Sequence, residues 1–114
     1  MRPTNDGMQK IQKAALVLDF KNDPEKASEI LLEVIDNTAI SKNDPIRIEA
    51  LAFLVEVCDV YQNDVLLRDM VEEVNRLEIG DIEPDLVDQH IETVRQVAFK
   101  YSLTFKHPDH STDE

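Results

Sequence analysis

Glycine is scarce in this chain of 114 residues, occurring only at Gly7 and Gly80. An all-β fold turns tightly and often, and tight turns draw on glycine, so the scarcity favours helices. It also rules out a glycine-rich phosphate loop. The single cysteine, Cys58, cannot form an intrachain disulfide and points to a reducing compartment. Its neighbours Val55, Val57 and Val60 suggest a buried, inert thiol. No apolar run is long enough to span a bilayer, and Met1 to Asp6 is polar with no leader-like apolar stretch after it. A cytoplasmic protein is the expectation. Positive charge is also short, with 12 Lys and Arg against 24 Asp and Glu and a net charge of −12. Such a surface repels phosphate backbones and anionic lipid, so neither direct nucleic-acid binding nor membrane docking is expected. A protein with a basic surface is the natural partner.

What is present suffices for one domain: 42% of the residues are hydrophobic, enough to build a core. The apolar residues recur at three and four, the helical spacing. A first helix is expected from Asp6 or Met8 to Phe20, burying Met8, Ile11, Ala14, Ala15 and Leu18. Asp23 is a good N-cap and Pro24 a good first residue for a second helix, which buries Ala27, Ile30, Leu31, Val34 and Ile35 and ends near Asn37 to Ala39. Asp44-Pro45 repeats that start for a third helix, apolar almost all round, with a narrow polar stripe of Glu49, Glu56, Asp59 and Asn63 that includes Ala52. A helix with so little polar surface belongs at the centre. A turn at Asn63-Asp64 leads to a fourth helix, about Asp64 to Glu78, stopped by Gly80. A fifth runs from Pro84 to about Leu103, with Ile82 stapled onto Val87 and with His90 on its apolar face. Short connections make neighbours antiparallel. The expected fold is all-α: about five antiparallel helices stacked as α-hairpins over residues 1–105, with a flexible, disordered C-terminal tail over 106–114.

The odd helices carry similar series. Ile11, Ala14, Ala15 and Leu18 match Leu54, Val57, Cys58 and Tyr61, and match Val94, Val97, Ala98 and Tyr101, each apolar, apolar, small, large. Met8 to Ser41, with Ala27, Leu31 and Val34 in its second helix, resembles a tetratricopeptide repeat. The second unit, Leu51 to Pro84, departs from the pattern at Met70, and the spacing exceeds the family's roughly 34 residues. The resemblance implies a groove for a peptide or helix and a role as an interaction module. An ordinary helical bundle is the alternative architecture.

Catalytic and metal chemistry find little support. Asp81, Glu83, Asp85 and Glu92 fall at calcium-loop spacing, but Leu86 stands where the loop's sharp bend needs glycine. His107, Asp109 and His110 sit in the expected tail, without rigid partners. No nucleophile–base pair can be assembled. Neither an enzyme nor a cofactor is expected. The distinctive property is acidity: between Asp64 and Glu92 ten acids face two bases, Arg68 and Arg76. Asp69, Glu72, Glu73, Asp81, Asp85 and Asp88 are expected on the outer face of helices four and five, as a docking face for a basic protein or as a solvated, solubilising surface. The function read from this is an adaptor or regulatory interaction module. The alternative is a small acidic inhibitor, of immunity or nucleic-acid-mimicking type, that blocks a basic partner. The surplus of apolar positions on helix three leaves a homo-oligomer open.

Overall fold

The computed structural model describes residues 3–78 and 84–107, and every regular element among them is helical. Helix α1 (Pro3–Leu16) continues through a π-helical turn (Val17–Lys21). It is followed by α2 (Pro24–Ile35), α3 (Pro45–Tyr61), α4 (Asp64–Asn75) and α5 (Pro84–Lys100). Helices α1 to α4 pack as successive antiparallel hairpins, and the molecule is 20 Å across its thin dimension, the depth of two helices.

Local chemistry sets the helix starts. The Asp23 side chain accepts the Lys26 N–H at 3.1 Å, and the Asp44 side chain accepts the Ile46 N–H at 2.9 Å, each with proline in the following position. Asn63 caps α4 by accepting the Leu66 N–H at 3.3 Å. The odd helices end without glycine. Asn22, Gln62 and Ser102 adopt left-handed φ of 50°, 59° and 58°. The N–H groups of Asp23, Asn63 and Leu103 then reach back to the carbonyls of Val17, Cys58 and Ala98. These three stops lie forty residues apart, as do the N-caps Asp23 and Asn63. The even helices stop earlier than their apolar pattern suggests. After Ile35 the Asn37 side chain captures the Ala39 N–H at 2.9 Å in a local turn. After Asn75 the Arg76 and Leu77 N–H groups fold back onto Glu72, Glu73 and Val74 carbonyls.

α3 sits at the centre and touches all four other helices. Ile48, Leu51, Leu54 and Val55 are fully buried, and so nearly is Ala52, which the sequence had grouped with the polar stripe. Only Glu56 of that stripe within α3 is exposed; Glu49 and Asp59 are half-buried. α5 leans mainly on α3 and barely touches α4, whereas α1 packs chiefly on α2. α1 begins earlier than expected and faces inward with Gly7, Ile11, Ala14 and Val17, while Met8 is 47% exposed. Gly7 allows the approach: a Cβ there would meet Ile46 Cγ2 at 3.0 Å. By the forty-residue spacing of the stops, Leu54, Val57 and Cys58 correspond to Ala14, Val17 and Leu18. The sequence series instead pairs Ile11 with Leu54, forty-three residues apart.

Gly80 and Ile82, expected as a helix stop and a staple, lie outside the described residues. The chain continues two described residues past the expected start of the tail. The Lys106 N–H donates to Asn75 Oδ1 at 2.9 Å, and His107 Nε2 lies 2.6 Å from the Val74 carbonyl. A carbonyl only accepts, so Nε2 carries the proton.

Candidate functional site

Of the six acids expected on one docking face, the structure leaves Asp69 as the plainest example. It is exposed on α4 and makes no ion pair among the described residues. Glu72 is exposed but lies 3.4 Å from Arg76. Glu73 is not an outward acid. It turns inward on α4, and its Oε2 lies 2.7 Å from Arg47 Nη2, with the two side chains 22% and 6% exposed. The guanidinium favours the charged carboxylate and holds Glu73 below the usual carboxylate range, against an opposing push from burial. Asp88 is half-buried on α5. Asp81 lies outside the described residues, as does the side chain of Asp85. Among the described residues, Asp69 and Glu72 are thus exposed, with Arg68 on α4 and Arg76 at its C-cap exposed beside them.

Arg47 escaped the sequence reading. Besides Glu73, its Nε donates to the Ile35 carbonyl at 2.9 Å and its Nη1 to the Lys42 carbonyl at 2.8 Å. One side chain thus ties the end of α2, the following loop and α4 to the start of α3. Its planar fork suits this three-way contact. Nothing in the sequence marks it, because a lone cation in a helix's first turn usually faces water.

A second polar junction joins α3 to α5. The Tyr101 hydroxyl donates to Asp59 Oδ1 at 2.7 Å, and Lys100 Nζ lies 3.0 Å from the same carboxylate. The hydroxyl bond lowers the Asp59 carboxyl and raises the Tyr101 phenol to about 12. The Tyr61 hydroxyl similarly donates to Asn22 Oδ1 at 3.0 Å, joining the end of α3 to the end of α1. The carboxyl ends of the three odd helices therefore gather along one edge.

Most of the large exposed apolar side chains lie close in sequence to helix ends. Leu16 and Phe20 at the end of α1, Val60 and Tyr61 at the end of α3, Val65 opening α4 and Phe99 near the end of α5 are all exposed. Phe20 and Phe99 each reach 81%. Isolated exposed apolar side chains are ordinary on a protein surface.

Cys58 is buried, and desolvation raises its thiol to about 11, which makes it a poor nucleophile. His90, half-buried on α5, sits at the edge of the core. Among the described residues no group of three or more His, Cys, Asp or Glu is placed to hold a metal ion, and no helix is long and apolar enough to cross a membrane. The calcium-spaced Asp81 and Glu83, and the tail residues Asp109 and His110, lie outside the described residues. Comparison with protein-family models, with curated proteins and with solved structures gave no match.

Proposed function

We infer that this chain is a protein-interaction module, an adaptor or regulatory subunit built from a short array of helical hairpins. The observation that carries the reading is the edge of exposed Leu16, Phe20, Val60, Val65 and Phe99 beside the tied ends of α1, α3 and α5. The forty-residue recurrence of helix stops and N-caps supports a repeated hairpin, with a period longer than a tetratricopeptide unit and within the range of other helix-pair repeats. Such arrays serve as extended docking surfaces. Asp69 and Glu72 add negative charge on α4, which favours a partner with a basic rim. The pairing of Glu73 with Arg47 and of Glu72 with Arg76 weighs against the reading as a nucleic-acid mimic, whose acids need to be available in rows.

The test compares proteins captured from the source cell by the unmodified chain and by a Phe20→Ser, Val60→Ser, Phe99→Ser variant. These positions are exposed, so the variant should keep its helicity and melt within a few degrees of the parent. Selective loss of a partner supports the apolar edge. Equal recovery of every partner removes it.

A further inference from the structure

We propose that the flank of α4 beside the end of α5 is a docking groove for an extended peptide. In this chain residues 103–107 occupy it, and it is open to a segment of another protein with apolar side chains at alternate positions. The reading deepens the interaction module but stands on a different surface from the apolar edge.

The first argument is backbone form. After Ser102 the chain does not begin another helix, and its exposure alternates. Leu103, Phe105 and His107 are half-buried, while Ser102, Thr104 and Lys106 are exposed. A period of two is the mark of an extended strand laid on a surface. Leu103 and Phe105 pack against the core, and His107 donates to the Val74 carbonyl in the last turn of α4.

The second argument is how the segment is held. Asn75 Nδ2 donates to the Thr104 carbonyl at 2.9 Å, and Asn75 Oδ1 accepts the Lys106 N–H at 2.9 Å. One carboxamide thus pairs with the C=O of one residue and the N–H of the residue two further on, as a neighbouring strand would. These bonds read main chain and ignore the Thr104 and Lys106 side chains. They would serve any extended segment that offers the same two groups.

The third argument is why the flank is open. α5 leans on α3 and barely touches α4, so the surface of α4 near its end lacks a helical cover. The segment covers only part of it. A cleft of about 400 Å³ remains between Arg68, Glu72 and Arg76 on one side and Ser102, Thr104 and Lys106 on the other. The resident segment competes with any external one at the high effective concentration of a tethered ligand, so weakening its hold should unmask the groove.

The probe is a fluorescein-labelled hexapeptide with the sequence of residues 102–107, and the readout is anisotropy with the full chain. Lys106→Pro removes the N–H that Asn75 accepts and leaves Leu103 and Phe105 in place. This variant should bind the hexapeptide at least about tenfold tighter than the unmodified chain. The same hexapeptide N-methylated at its lysine nitrogen should lose about tenfold or more. Adding Asn75→Ala to Lys106→Pro should abolish the gain. Phe105→Ala serves as a second unmasking variant should Lys106→Pro not fold, with circular dichroism checking each. Equal affinity for masked and unmasked chains, or indifference to N-methylation, overturns the proposal. So does peptide binding that leaves the Asn75 side-chain amide unshifted in NMR spectra. A dimer of the unmodified chain that exchanges residues 103–107 makes a second copy the occupant and also overturns it. Failure here leaves the Phe20, Val60 and Phe99 test of the apolar edge unaffected.

Discussion

Arg47 and Glu73 are brought together from α3 and α4, with Nη2 and Oε2 at 2.7 Å, and the arginine also satisfies two backbone carbonyls. The first prediction follows from this unequal sharing. Arg47→Ala strands three acceptors at once and should cost about 3–5 kcal/mol. Glu73→Gln keeps an acceptor for the guanidinium and should cost about 1–2 kcal/mol. Glu73 is lowered in the fold, so its contribution is full above the unfolded carboxyl value, about 4.3, and disappears as pH falls through the folded value. Urea unfolding at pH 7 and pH 3 checks both. The gap between the parent and Glu73→Gln should shrink in acid; an unchanged gap would mean the carboxylate charge is not its source.

Leu54 is fully buried at the centre of α3. Leu54→Ala should therefore cost about 2–5 kcal/mol, because helices on both sides limit collapse into the cavity. A loss below about 1 kcal/mol in chemical denaturation would remove α3 from its central role.

Gly7 pits helix propensity against space. Alanine favours a helix over glycine by about 1 kcal/mol. The new Cβ, however, would sit 3.0 Å from Ile46 Cγ2, a methyl on a stiff, branched carbon. Overpacking costs about 1–3 kcal/mol, so Gly7→Ala should destabilise. Ile46→Leu moves the branch outward. In that background the same alanine should turn neutral or stabilising, as a double-mutant cycle of melting temperatures can show.

Gln62 and Ser102 hold left-handed backbone without being glycine. Gln62→Gly and Ser102→Gly should each stabilise by about 0.5–1 kcal/mol by relieving that conformation. Asn22→Gly should gain less, since asparagine tolerates the region better and Asn22 would lose its bond from Tyr61. A fall in melting temperature at Gln62→Gly would count against this account of the helix ends.

Features decided by a few adjacent residues were legible in the sequence. Asp23-Pro24 and Asp44-Pro45 start helices because an N-cap and a first-turn proline act locally, and the all-round apolarity of α3 announced its central place. Gly7 was missed as a packing residue, although its spacing from Ile11 and Ala14 is helical. The forty-residue recurrence of the helix stops went unread, because Gln62 and Ser102 lack the glycine expected at such stops. Of the candidate face, exposed Asp69 and Glu72 follow directly from helix periodicity. The inward turn of Glu73 depends on Arg47, twenty-six residues away, and periodicity carries no information about that pairing. Leu103 and Phe105 alternate with polar residues, a visible strand signal that their place near the chain end obscured.

The central position of α3 governs how the molecule comes apart. In a linear array each unit touches only its neighbours, so terminal units fray while the middle stays folded. Here α3 touches all four other helices, and Leu51, Leu54 and Val55 at its middle are fully buried. Their hydrogen exchange should track global stability, while α1, resting chiefly on α2, should exchange through a smaller and more frequent opening.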